Sequence, residues 1–282
     1  MDPTIARMEE DLKDLDRSIH TRLVYVQTVK RFRRHFGRPM TELGVEEVTK
    51  YMRDLIRSPK HGPSTCAVYA AALRFVFCVT MKRPEEVMGL RTPRKPHKLP
   101  IVMTADEVRR CLRATTCDRN RALIMLAYGA GLRISEVVRL QARDIDSERG
   151  VLYVREGKGR KERVVMLSPV LLEQLRRAWR EQRPEGPWLF PGQHRHTPIT
   201  ARQVRRGWAD VQLRAGLRRH YCFHALRGSF ATHLLDGGVD LRTIQILLGH
   251  ARISTTVRYV AVQAQHVQNV VSPLDCLEQP AT

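Results

Sequence analysis

Apolar residues recur at three- and four-residue steps through the first ninety positions, and the pattern predicts helices near 4–16, 20–36, 45–57 and 64–81. Gly37-Arg-Pro39 and Pro59-Lys-His-Gly-Pro63 separate them, as backbone breakers should. In the second helix Tyr25, Val29, Phe32 and Phe36 form an apolar stripe, and Lys30, Arg33 and Arg34 fall on the opposite face. The stretch Arg91–Pro100 then carries three prolines and four lysine or arginine residues. It reads as an extended basic connector at a domain boundary. The expected division is a helical domain over 1–90, a linker over 91–100 and a second domain over 101–282.

The second domain opens with Thr104-Ala-Asp-Glu107, a capping box that starts a helix through Leu112. A helix over 119–128 follows and stops at Gly129-Ala-Gly131. Residues 151–167 carry the sheet signal: two β-rich runs joined by Gly157-Lys158-Gly159, a hairpin with lysine at its tip. That lysine is either turn chemistry or a probe for a groove. From His224 to Leu235 a helix is expected, with Leu226, Phe230, Ala231, Leu234 and Leu235 on one arc and Gly228, Ser229, Thr232, His233 and Asp236 on the other. His224 and Arg227 fall inside the apolar arc. A buried guanidinium needs an anion, which is either an internal carboxylate or a ligand phosphate that the planar fork fits. Asp240 is placed to cap a short helix through Leu248, Gly249 to end it, and His250 to follow in the turn. Ser254 would cap a further helix carrying Tyr259. At the end of the chain Val267, Val270, Val271 and Leu274 form an apolar strip, with a turn restarted at Ser272-Pro273. The fold class is therefore mainly α with a small β-sheet.

Charge narrows the partners. The 282 residues include 49 lysines and arginines against 29 aspartates and glutamates, a net charge of +20, which points to a polyanion and first to nucleic acid. No eighteen-residue apolar run, secretory signal or lipidation motif is read, so the expected setting is the cytoplasm or nucleoid rather than a membrane. The six cysteines lack a repeated spacing and read as reduced structural thiols. His194, His196, His220, Cys222 and His224 alternate in a way that would suit a metal site, but they match no recognised zinc spacing. No metal or cofactor is expected.

Taken together, Gly131-Leu-Arg133-Ile-Ser-Glu136, Gly157-Lys158-Gly159-Arg-Lys-Glu-Arg163, His224-Ala-Leu-Arg227, Leu248-Gly-His250 and Ser254-Thr-Thr-Val-Arg-Tyr259 resemble the tyrosine recombinase (phage integrase) family. The layout looks like that of its Xer-type and small mobile-element members. The resemblance spans the whole second domain, whereas the first ninety residues resemble the family's helical, SAM-like core-binding domain only in general form. It implies a two-domain DNA clamp in which Arg133 and Arg227 hold the phosphate, Lys158 is the general acid, His224 and His250 flank the phosphate, Tyr259 is the nucleophile and Glu136 supports the site. It further implies a 3′-phosphotyrosyl intermediate, double-stranded DNA with inverted half-sites, a monomer in free solution and a homotetramer on DNA that passes through a Holliday junction. Lys30, Arg33 and Arg34, with Arg94, Lys95 and Lys98 of the connector, are the expected backbone contacts. The segment after the tyrosine would dock on a neighbouring protomer, or else pack on its own domain. Gly228 and Val260-Ala261 depart from the family's pattern without removing a catalytic group. Rival readings are a type IB topoisomerase or telomere resolvase, which would act without joining two sites, and a catalytically silent DNA-binding protein.

Overall fold

Caps written into the sequence start most of the helices. In the computed structural model, which describes residues 2–93, 101–155, 162–194, 196–249 and 272–277, Asp2 Oδ1 accepts from the Thr4 amide at 3.0 Å and starts α1, Pro3–Asp14. Ser18 starts α2, Ile19–Phe36, and Gly37 at φ 68° ends it. The helices α3, Val45–Arg57, and α4, Pro63–Phe75, complete a bundle, and α4 runs on through a wide π-type turn, Val76–Thr80. Ile5, Leu12, Phe32, Leu43, Leu73 and Phe77 lie in its core. The chain separates into two compact units, Met1–Lys98 and Leu99–Thr282.

One expectation is corrected in this bundle. Pro63–Thr80 is long and apolar enough to cross a membrane by length and composition, although no such run was read from the sequence. Half of it is buried inside the bundle, where Cys66, Ala70 and Leu73 face the other helices, as in the core helix of a globular unit.

The second unit is built round α6, Asp118–Gly129, whose residues Ala122 to Gly129 are all buried. Before it stands α5, Ala105–Arg113, started by the Thr104 and Glu107 capping box as expected. After it come α7, Ile134–Val138, and an antiparallel sheet of β1, Ile145–Asp146, β2, Val151–Val154, and β3, Arg163–Met166, in that order. Leu152 pairs with Val165 and Val154 with Arg163, so Arg163 opens the return strand of the hairpin. The expected tip, Gly157-Lys158-Gly159, lies outside the described residues. Two helices that the apolar pattern leaves unassigned, α8, Pro169–Gln182, and α9, Ala201–Arg214, pack against α6.

The expected helix after Phe223 is α10, His224–Asp236, and Asp240 caps α11, Leu241–Leu248, with Gly249 in the left-handed conformation at its end. Three positions on α10 differ from the two-arc pattern, among them His224, which was expected in the apolar arc and is exposed. Ser229, on the polar arc, is fully buried because its hydroxyl donates to Ala225 O and accepts from the Met103 amide. Leu235, on the apolar arc, is half exposed. The expected helix with Tyr259, and Val267, Val270 and Val271 of the tail, lie outside the described residues. The described tail, α12, Pro273–Leu277, packs on its own unit: Leu274 is buried beside Gly129, and Ser272 Oγ donates to Gly129 O at 2.9 Å. Cys66 and Cys111 are buried free thiols, as expected of structural cysteines, whereas Cys78 and Cys222 are exposed.

Two glycines separate cost from opportunity. A Cβ on Gly131, at φ 64°, would lie 2.6 Å from the Phe230 ring, while one on Gly228 would meet nothing nearer than Ile101 O at 4.0 Å. Gly228→Ala is expected to stabilise the second unit by about 1 kcal/mol and raise its melting temperature by a few degrees. Gly131→Ala is expected to lower it by more than that, through strain and overpacking. Thermal melts of both variants check this, and shifts in the same direction would contradict it.

Candidate active site

Glu136 stands at the centre of the site because three arginines converge on it. On the first turn of α7 its Oε2 accepts from the Arg133 amide at 2.7 Å, which satisfies one of the helix's free N–H groups, and its Oε1 accepts from Arg133 Nη1 at 2.7 Å. Arg163 of β3 meets the same carboxylate as a fork, Nη1 to Oε1 at 2.8 Å and Nη2 to Oε2 at 2.7 Å. Arg227 of α10 approaches less closely, with Nη1 at 3.7 Å from Oε2. Three guanidinium groups thus share one carboxylate, which leaves two positive charges uncompensated among the described residues of the cluster.

Helix ends supply the remaining partners. Arg227 is 3% exposed, and it donates to Gly131 O at 2.6 Å and to Leu248 O. Arg163 Nε donates to Leu247 O at 2.8 Å, and Arg133 Nη2 reaches Gly249 O at a longer 3.4 Å. Three successive carbonyls at the end of α11 therefore take one arginine each, where a helix has unpaired carbonyls and the negative end of its dipole. The fold of Gly131 and Gly249 permits this, since both sit at positive φ and both face atoms that a side chain would strike.

The charge balance marks Arg227 as under-neutralised. Burial would push the Glu136 carboxyl up, but the hydrogen bonds and charges of Arg163, then Arg133, outweigh burial and hold it down at about 2. Burial, then repulsion from Arg133 and Arg163, pulls the Arg227 guanidinium down to about 9, so it stays cationic at neutral pH but at a cost. His224 is also shifted below the ordinary histidine value, by partial burial and then by Arg227 and Arg133, so its charged form is disfavoured. An arriving anion would relieve all of this repulsion. The sequence left Arg227 with either an internal carboxylate or a ligand phosphate; Glu136 is that carboxylate, yet it is too heavily shared to exhaust the site.

Of the residues expected in the site, Arg133, Glu136, His224 and Arg227 come together, although His224 is exposed rather than inside the apolar arc. Lys158, His250 and Tyr259 lie outside the described residues. Arg163 was read only as part of a hairpin motif, and its place in the cluster is new. Among the expected backbone contacts, Lys30 and Arg34 are exposed on α2, but Arg33 Nε pairs at 3.0 Å with Asp2, a buried carboxylate that needs a cation. Arg94, Lys95 and Lys98 lie outside the described residues. Among the described residues no three His, Cys, Asp or Glu side chains are grouped to hold a metal ion, so His194, His196, His220, Cys222 and His224 do not form one.

Comparison with known proteins bears on the same residues. The profile described as phage integrase family matches residues 102–266, and that described as phage integrase, N-terminal SAM-like domain, matches residues 5–86. The y4qK protein of Sinorhizobium fredii, named as a candidate integrase/recombinase, is 43% identical over 284 residues, which cover 100% of this chain and 91% of that one. Tyrosine recombinase XerA of Pyrococcus furiosus is 38% identical over 69% of this chain and 68% of its own. In fold, the chain is similar to a lambda integrase tetramer bound to a Holliday junction, with a TM-score of 0.70 at 21% identity over 94% of this chain and 77% of that one.

The Glu136 pairing sets a pH dependence. Its carboxyl lies near 2 in the folded chain against an ordinary 4.5, so the stability it contributes, about 3 kcal/mol, is present above pH 4.5 and lost as pH falls towards 2. Glu136→Gln is expected to be strongly destabilised at pH 7 in urea, with the gap to the parent protein narrowing by pH 3. A gap of equal size at both pH values would show that the carboxylate charge is not what holds the cluster.

Proposed function

The chain belongs to the phage integrase family of tyrosine recombinases, and from that premise we propose that it cuts and rejoins double-stranded DNA at specific inverted half-sites through a covalent phosphotyrosine, as a tetramer whose exchange passes through a Holliday junction. The observation that carries the chemistry is the buried Arg227, short of negative charge beside a carboxylate that Arg163 and Arg133 already occupy. Arg133 and Arg227 then take the nonbridging oxygens of the scissile phosphate. A phosphodiester resists nucleophiles through its own charge, and preorganised guanidinium groups stabilise the further charge of the pentacoordinate transition state.

In the proposed step the Tyr259 hydroxyl oxygen attacks phosphorus, the bond to the 5′ oxygen breaks and a 3′-phosphotyrosyl link forms. Lys158 gives a proton to the departing 5′ oxygen. The phenol proton passes to a neutral imidazole, a role open to His224 because its charged form is disfavoured. The link conserves the energy of the broken bond, so attack by a 5′ hydroxyl restores the backbone without ATP. His250 is the second histidine proposed to flank the phosphate. The basic faces, with Lys30 and Arg34 on α2 and Arg94, Lys95 and Lys98 in the connector, hold the duplex backbone, and the chain works in the cytoplasm beside the nucleoid. Membership of a recombinase family favours two-site exchange over the one-duplex chemistry of a type IB topoisomerase.

Tyr259→Phe deletes one oxygen and should bind half-site DNA as the parent does while forming no covalent adduct on a nicked suicide substrate. An adduct of equal yield in the variant would mean that another nucleophile acts. Parent protein that forms no adduct on any paired half-site would favour the silent DNA-binding reading.

A further inference from the structure

Arg163 is placed to govern the phosphate site without touching the phosphate. Its side chain is 8% exposed, and each of its three guanidinium nitrogens is already engaged: both Nη atoms with Glu136 and Nε with Leu247 O. Its Cδ lies 2.9 Å from where a Cβ on Gly249 would be, so its stem packs directly under the end of α11. Glu136 has two oxygens, and the fork of Arg163 with the amide and Nη1 of Arg133 fills both at 2.7–2.8 Å, which leaves Arg227 at 3.7 Å.

Resting on the recombinase reading, we propose that Arg163 is a positioning residue for strand cleavage: it draws Glu136 away from Arg227, so that the charge of Arg227 remains for the DNA phosphate, and it ties the hairpin strand to the end of α11. Without Arg163 the carboxylate is free to close on Arg227 and neutralise it. A lysine cannot substitute, because one ammonium does not reproduce two parallel bonds to a carboxylate and a third to a carbonyl. Both effects act on the rate of the chemical step, since contacts that hold the duplex backbone lie elsewhere.

The test compares the parent with Arg163→Lys and Arg163→Met for half-site DNA affinity, for single-turnover adduct formation per correctly folded molecule, and for stabilisation by inorganic phosphate in thermal melts. The expected result is unchanged DNA affinity, a cleavage rate about a hundredfold lower in both variants, and loss of the part of the phosphate-dependent melting shift that Arg227→Met also abolishes. In a Glu136→Gln background the Arg163→Met change should slow cleavage by clearly less than it does in the parent, because only the tie to Leu247 O then remains to be lost. Full activity in Arg163→Lys, or equal losses from Arg163→Met with and without Glu136, would overturn the proposal. So would variants whose only defect is a smaller folded fraction. If the parent forms no adduct, the recombinase reading fails on its own account, and the phosphate-dependent melting shift still decides the role of Arg163.

Discussion

A single buried carboxylate shared among three arginines is the constraint on which the catalytic unit depends. Glu136 ties together α7, β3 and α10, while the arginines in turn hold the end of α11 and the exit from α6. Each charge taken out of water costs several kcal/mol unless it is paired, and here the pairing is deliberately incomplete on the side of Arg227. An electrostatically unfinished cluster is stable enough to form, because helix-end carbonyls accept what the carboxylate cannot. It also remains ready for an anion that arrives later, which is how a preorganised site differs from one that must rearrange on binding.

Much of this was legible in the sequence where the physics is local. Caps depend on residues within a turn of the helix end, so Thr104 with Glu107 at the start of α5, and Asp240 and Gly249 at the two ends of α11, located helix ends correctly. The burial of Arg227 followed from helical periodicity alone. Its partner did not, because Glu136 and Arg227 meet only through the tertiary fold, and the motif resemblance gave Glu136 a supporting role without saying whom it supports. Arg163 was hidden for a similar reason: nothing at the start of the second β-rich run marks its partner, and only the tertiary fold brings its guanidinium to Glu136.

The omissions elsewhere are also physical. The apolar residues of α8 and α9 are diluted by exposed arginines and by buried glutamines, Gln174 and Gln212, which satisfy their amides internally and so pass for surface residues. Their start signals, Ser168-Pro169 and Thr200 with Gln203, were present and would have sufficed. Ser229 shows the same limit in one residue, since a hydroxyl that bonds within its helix and to the Met103 amide can be buried like an alanine. The apolar run Pro63–Thr80 was overlooked because small and hydroxylated residues break up its appearance, and its burial in the first unit explains why so apolar a helix is needed there.

The central claim is that Arg227 is kept charged for the phosphate, and the most direct measurement varies the charge of the phosphate itself. Replacing one nonbridging oxygen of the scissile linkage by a methyl group yields a neutral methylphosphonate, on which a clamping guanidinium has little left to stabilise. The parent protein should cleave the natural linkage far faster than Arg227→Ala does, and the two should differ much less on the methylphosphonate. An Arg227→Ala variant equally impaired on both linkages would contradict the account, because Arg227 would then be holding the fold together rather than answering the charge of the DNA.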